Sequence, residues 1–265
     1  MKYAADFREI ARDALYGKWR VAILTGFVAQ LLGANLLIGS SSGSSSSSNS
    51  SDNNPIFNAL PIAPSVITAV LAVILIWLVV LFVISGAAKL GYARFNLNLV
   101  DGDDARFSDL FSQFDRIGSG IIMNLLVGLF TFLWSLLFII PGIIKTYSYA
   151  MTPFILAEHP EISENEAITR SRELMDGNKW RLFCLLFSFI GWELLVSGPL
   201  AVSLVVLSTV LLTGALSTLT GVIIMCAVCG VFAIVGQLFL VPYQNAAVAA
   251  FYRDISSEAE SEFTA

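Results

Sequence analysis

Long apolar runs separated by short polar stretches make up most of this chain. The first run, Val21 to Ile38, follows a segment in which Phe7, Ile10, Ala11, Ala14 and Leu15 recur at helical spacing among Lys2, Arg8, Arg12, Lys18 and Arg20. That pattern predicts an amphipathic helix lying in a membrane interface and stopped at Gly17, followed by an uncleaved first span. The run is long for a signal-peptide core and lacks a convincing small-x-small cleavage site. Further runs at Val66 to Ala88, Ile121 to Ile140, Gly142 to Ala157, Leu182 to about Leu207, and Gly221 to Val241 bring the predicted spans to six. A span needs about 20 residues. The fourth is short and carries Lys145, Tyr147, Tyr149 and Pro153, which predicts tilt, local thinning or burial among the other helices. Pro141-Gly142 predicts the reversal before it, and Gly198-Pro199 a kink in the fifth.

The polar stretches carry their own signals. Residues 39–64 are rich in Ser and Asn and hold no Lys or Arg, which predicts a flexible loop outside the cytoplasm. Phe107, Leu110, Phe111 and Phe114 share one face of a predicted short helix at the inner interface. Ser163 with Glu166 three residues later is a capping box, and Gly177 is placed to end the helix it opens. After Pro242 the tail is expected to fray beyond Ile255, leaving 256–265 disordered.

Composition agrees with this pattern. Of 265 residues, 56% are hydrophobic and 13% charged, against about 25% charged in soluble proteins; the mean hydropathy is +0.77. Lys and Arg number five in residues 1–20, four in 89–116, four in 170–181 and one in the tail, leaving Lys145 alone. The positive-inside rule then places both termini in the cytoplasm. The expected fold is all-α: one membrane domain over 1–265, a polytopic bundle of about six transmembrane helices with cytoplasmic amphipathic helices. Cys184, Cys226 and Cys229 all lie in apolar runs and form no secreted disulfide framework.

Residues 11–20 (ARDALYGKWR) and 171–181 (SRELMDGNKWR) read alike, each ending in Lys-Trp-Arg at a membrane entrance. Duplication and convergent interface chemistry both account for so short a match. Together with FSDLFSQFDR (107–116), IIPGIIKTYSYAMTPFILAEHPEIS (139–163) and SRELMDGNKWRLFCLLFSFIGWELL (171–195), the first motif resembles a bacterial integral-membrane family called domain of unknown function 975. The resemblance implies a multi-pass protein of the bacterial cytoplasmic membrane and supplies no agreed activity or catalytic residues.

Glu193 is the residue that fits its run least. It lies twelve residues beyond Arg181, about 18 Å along a helix, near the middle of a hydrocarbon core about 30 Å thick. An ionised carboxylate there is costly, so it is protonated, paired, or close to an interface. Lys145 is the candidate partner, with Tyr147 and Tyr149 as polar neighbours. No H-E-x-x-H or P-loop occurs, and the G-x-S-x-G string at Gly39 to Gly43 falls in the Ser-rich segment, so no cofactor or metal is expected and no hydrolytic site is evident. Two functions lead, ahead of a membrane enzyme acting on lipid, for which no nucleophile and base are evident. One is a membrane scaffold whose inner-face helices meet the lipid bilayer, anionic lipid head groups or another membrane protein, with no nucleic-acid partner. The other is a small-molecule or proton-coupled transporter using Glu193 and Lys145.

Overall fold

Apolar runs of this length satisfy their backbone polar groups within a bilayer as helices, and every regular element described is helical. A computed structural model of the protein describes residues 2–34, 64–137, 139–213 and 216–264. The Ser-rich segment at 39–64 thus lies outside the described residues, except for its final position. Among the described residues ten α-helices follow in order: α1 (Ala4–Leu15), α2 (Trp19–Leu31), α3 (Pro64–Val100), α4 (Ile117–Leu137), α5 (Ile139–Ser148), α6 (Thr152–Glu158), α7 (Glu164–Leu174), α8 (Lys179–Phe187), α9 (Ile190–Thr213) and α10 (Leu216–Thr264). Two 3₁₀ turns, Phe107–Phe111 and Phe114–Arg116, precede α4.

Among the described residues four stretches are long and apolar enough to cross a membrane: Thr68–Val100, Phe107–Leu136, Ile190–Thr213 and Thr218–Ala259. By length and composition they suit a membrane protein. The α2 helix is apolar but shorter, and residues 142–157 are not one continuous helix, because α5 ends at Ser148 and α6 begins at Thr152. Pro141 falls in the first turn of α5, where its missing N–H costs no helical bond. In the fifth run Ser188-Phe189 separates α8 from α9, and α9 continues through Pro199.

The longest helices change environment partway. From Val70 to Phe82 and from Ile223 to Phe239, α3 and α10 expose large apolar side chains, as do α4 and α9. This belt of apolar surface suits a bilayer and not water. Beyond it, Ala87 to Leu99 of α3 and Leu240 to Ile255 of α10 are largely buried by protein. Neither helix stops at the end of its apolar run as expected: α3 passes through Lys89 and Arg94, and α10 through Pro242 to Thr264. The tail expected to fray after Ile255 is therefore helical in the structure.

This inner part of α10 is apolar on all sides through Ala246, Ala247, Ala249, Ala250 and Phe251, and it is surrounded. Helix α1 covers one side with Phe7, Ala11 and Leu15, its Phe7 ring edge-on to Phe251 at 5.4 Å. The apolar stripe read as membrane-binding is thus spent on α10. Phe154 of α6 stacks on Tyr252 at 5.6 Å from another side. The Phe107 to Phe114 stripe is likewise not an interfacial helix. Its 3₁₀ turns pack on α3, burying Leu110, and a Cβ on Gly91 would stand 1.9 Å from the Leu110 carbonyl oxygen.

The sequence echo is an echo of conformation. Gly17 and Gly177 both take the left-handed conformation, with φ of 77° and 78°. Counting from these glycines, six buried positions correspond: Phe7 with Ala167, Ala11 with Ser171, Leu15 with Met175, Ala22 with Leu182, Thr25 with Leu185, and Ala29 with Phe189, while Gly26 and Ile168 are buried in one copy alone. The first helix of each copy is capped at corresponding positions, by opposite halves of a capping box. Asp6 accepts from the Tyr3 amide at 2.7 Å, and Ser163 Oγ accepts from the Glu166 amide at 3.3 Å. This register sets Trp19 opposite Lys179, one position away from the alignment of the Lys-Trp-Arg triplets.

Two substitutions separate close packing from open space. Gly91→Ala has to move α3 away from the Leu110 backbone, so thermal unfolding in detergent should show a large fall in Tm. Gly128→Ala in α4 meets nothing within 4 Å and should leave Tm unchanged.

Candidate functional site

The residues singled out by the sequence do not form one site. Glu193 lies in the first turn of α9, with the helix running on to Thr213 beyond it. Its Oε1 accepts from Gln237 Nε2 of α10 at 2.6 Å, while Oε2 is buried without a protein donor. Lys145 is elsewhere: its ammonium sits 4.8 Å from the centre of the Trp134 ring, across the α4–α5 hairpin. The expected Glu193–Lys145 pair is therefore not formed. Tyr147 meets Phe183 edge-on at 6.2 Å, and the buried Tyr149 packs near Phe130 at 6.2 Å. A polar contact absent from the sequence reading joins Lys89 of α3 to Asn124 of α4 at 3.0 Å.

The largest set of polar contacts lies at the other end of the buried part of α10. Arg253 bonds Asp101 at the end of α3, at 2.8 Å through Nε, and Glu158 at the end of α6. Tyr252 donates to the other oxygen of Glu158 at 2.6 Å. One turn further, Arg181 of α8 reaches Asp254 at 2.6 Å, Glu258 at 3.0 Å and the Lys2 carbonyl at 3.4 Å. Lys2 itself pairs with Asp254 at 3.3 Å, so the N-terminal segment and α10 meet at the same end. Lys18 donates to the Asp103 carbonyl at 2.6 Å, and Arg116 to the Pro160 carbonyl at 2.6 Å. Bidentate Arg–carboxylate contacts of this kind fix geometry as well as charge.

Glu158 occupies the centre of these contacts. Burial acts to raise its pKa, but the Tyr252 hydroxyl and the Arg253 guanidinium, with a smaller charge effect from His159, overcome it and hold the carboxyl below its ordinary value. Beside it opens a cleft of about 690 Å³ between α7 and α10, lined by Glu158, Arg170, Glu173, Asn178, Arg253 and Ser257 among others. Its charges are mixed, and no group of three or more metal-ligating side chains occurs among the described residues. The arrangement can hold a charged group or partner side chain, and offers no paired nucleophile and base.

Sequence reasoning missed this centre because its members, Asp101, Glu158 and Arg253, are widely separated in the chain. Each stood at the edge of an apolar run and looked like a boundary charge. The available signal was the break of the tail's apolar run by Tyr252-Arg253-Asp254, one turn before its acidic end.

Residues 136–259 match the family described as Protein of unknown function (DUF975). The chain resembles that family over this stretch, which holds Glu158, Arg181, Glu193, Gln237 and Arg253 but not Lys89 or Asp101. No curated protein and no solved structure matches the chain.

Because Glu158 carries a depressed pKa in the folded protein, its contribution to stability is fully present above the ordinary glutamate value of about 4.3. It is lost as pH falls through the lower folded value. Glu158→Gln should therefore flatten the acid limb of a Tm-against-pH curve. Arg253→Ala should cost about 2 kcal/mol at neutral pH, the scale of a charge-assisted hydrogen bond lost. Equal acid limbs for wild type and Glu158→Gln would show that this contact does not carry the pH dependence.

Proposed function

We propose that this chain is a non-enzymatic, multi-pass protein of the bacterial cytoplasmic membrane. In this reading six apolar segments cross the bilayer: α2, the outer part of α3, α4, α5, α8 with α9, and the outer part of α10. Both termini are cytoplasmic, and the polar body at that end binds anionic lipid head groups, where it also meets neighbouring membrane proteins. The observation that carries it is the joining of the basic segments at one end through Lys2–Asp254, Lys18–Asp103, Arg116–Pro160 and Arg253–Asp101. The positive-inside rule assigns such an end to the cytoplasm. The two repeat copies support the lipid reading. Each presents an exposed arginine at the corresponding position, Arg12 and Arg172, and neither arginine has a carboxylate partner among the described residues. Exposed Trp180 and Arg20 stand at the corresponding membrane entrances. Basic residues near an anionic membrane surface contribute about 1 kcal/mol each.

A second reading, proton-coupled transport, rests on Glu193 with Gln237 in place of Lys145. A carboxyl with one oxygen lacking a donor in an apolar setting is suited to carrying a proton. It predicts that Glu193→Gln abolishes a pH-dependent flux in liposomes while Lys145→Met does not.

For the leading reading, the protein is reconstituted in nanodiscs of phosphatidylcholine with and without phosphatidylglycerol. The expected result is a higher Tm with the anionic lipid, reduced by 0.5 M salt and by the double variant Arg12→Glu, Arg172→Glu. A Tm indifferent to lipid charge in both proteins would exclude it.

A further inference from the structure

Lys89 lies beside the closest crossing of α3 and α4. A Cβ on Gly86 would be 2.4 Å from the Gly120 carbonyl carbon, and one on Gly120 would be 2.5 Å from that of Gly86. The two backbones touch, and a short polar chain runs beside the contact. The Lys89 ammonium donates to Asn124 Oδ1 at 3.0 Å, Asn124 Nδ2 donates to Ser85 Oγ at 3.3 Å, and Ser85 Oγ donates to the Phe82 carbonyl at 2.9 Å. Lys89 makes no ion pair among the described residues.

The direction of this lysine is unusual. Helix α3 descends from the apolar belt into the buried body, so Lys89 starts one turn below Gly86, on the body side. Helix α4 ascends, so Asn124 stands one turn above Gly120, on the belt side; Ser85 is also above Gly86. The lysine stem thus carries its charge towards the apolar belt, the reverse of snorkelling to water. An ammonium has three donors, and the acceptor it meets among the described residues is a neutral amide oxygen. Near hydrocarbon, two remaining donors and an uncompensated charge are costly.

Ser85, Lys89 and Asn124 are each only partly buried. Phe82 on one helix and Ile122 and Leu125 on the other are exposed apolar residues nearby. A ligand for this place needs anionic oxygens at the inner edge of the belt and apolar chains to lie along it. A phospholipid has both. Resting on the membrane reading above, we propose that Lys89 and Asn124 form a binding site for the phosphate of a phospholipid in the inner leaflet, with its acyl chains against Phe82 and Leu125. The phosphate oxygens take the free ammonium donors, and Asn124 holds the lysine in its raised position through Ser85.

Because the phosphate is common to zwitterionic and anionic lipids, the site binds both. That separates it from the surface arginines, whose effect depends on lipid charge. The test is native mass spectrometry of the full-length protein released from phosphatidylcholine nanodiscs, counting retained lipids. Wild type and Lys89→Arg should retain one phospholipid that Lys89→Met loses, and Arg12→Glu, Arg172→Glu should retain it. Should Lys89→Met fail to fold, Asn124→Leu carries the same comparison, with the same loss expected. Added inorganic phosphate should not raise the Tm of delipidated wild type. Equal lipid counts in wild type and the folded variant would overturn the proposal, and so would stabilisation by free phosphate matching that by lipid.

Discussion

The inner part of α10 is buried on all sides, and that burial depends on charges that meet partners arriving from every neighbouring element. Arg253 bonds the ends of α3 and α6, and Asp254 receives Arg181 from α8 and Lys2 from the N-terminal segment. Side chains such as these are costly to bury alone and tolerable when paired with good geometry. The pairing holds the helix ends at fixed positions. The apolar ring of Phe7, Phe154, Phe251 and alanine contacts then forms around α10. Removing one partner leaves a charge unpaired near that core, which is why the polar contacts and the packing are coupled.

The repeat gives the body part of its architecture. Each copy is a short capped helix, a left-handed glycine and an ascending helix, with the same six positions buried. The two copies are used differently. The first packs its helix on α10, whereas the second packs on α6 and α4 and sends Arg181 to the α10 carboxylates. Glu193 falls in the second copy opposite Gly33, so its carboxyl and its bond to Gln237 belong to that copy alone.

Much of the fold was legible in the sequence. The apolar runs gave the belt-crossing helices because a bilayer enforces helical hydrogen bonding. Gly17, Gly177 and the Ser163 cap gave helix ends because those signals act within a few residues. The errors share one cause. Lys89, Arg94 and Arg253 mark where α3 and α10 leave the apolar belt, and a sequence reading takes the edge of the belt for the end of the helix. Inside the body, alanine-rich faces and paired charges keep the helices going where hydropathy falls. The candidate site was less legible, since it depends on contacts between distant residues. Glu193 stood out as an isolated carboxyl, but its partner is 44 residues away on α10. Lys145 found the Trp134 ring, a neighbour that charge pairing does not point to. The amphipathic stripe of α1 and the aromatic stripe near Leu110 were correctly seen as apolar faces. A sequence shows that a face must be covered, but not whether lipid or protein covers it.

The claim that α10 is the clamped centre of an ordered body is tested most directly by hydrogen–deuterium exchange of its amides in nanodiscs. Slow exchange from Gln244 to Ile255, comparable to that of the belt segment from Gly221 to Val241, is the predicted result. Exchange of that inner segment within seconds, as for a solvent-exposed helix outside the bilayer, would contradict it.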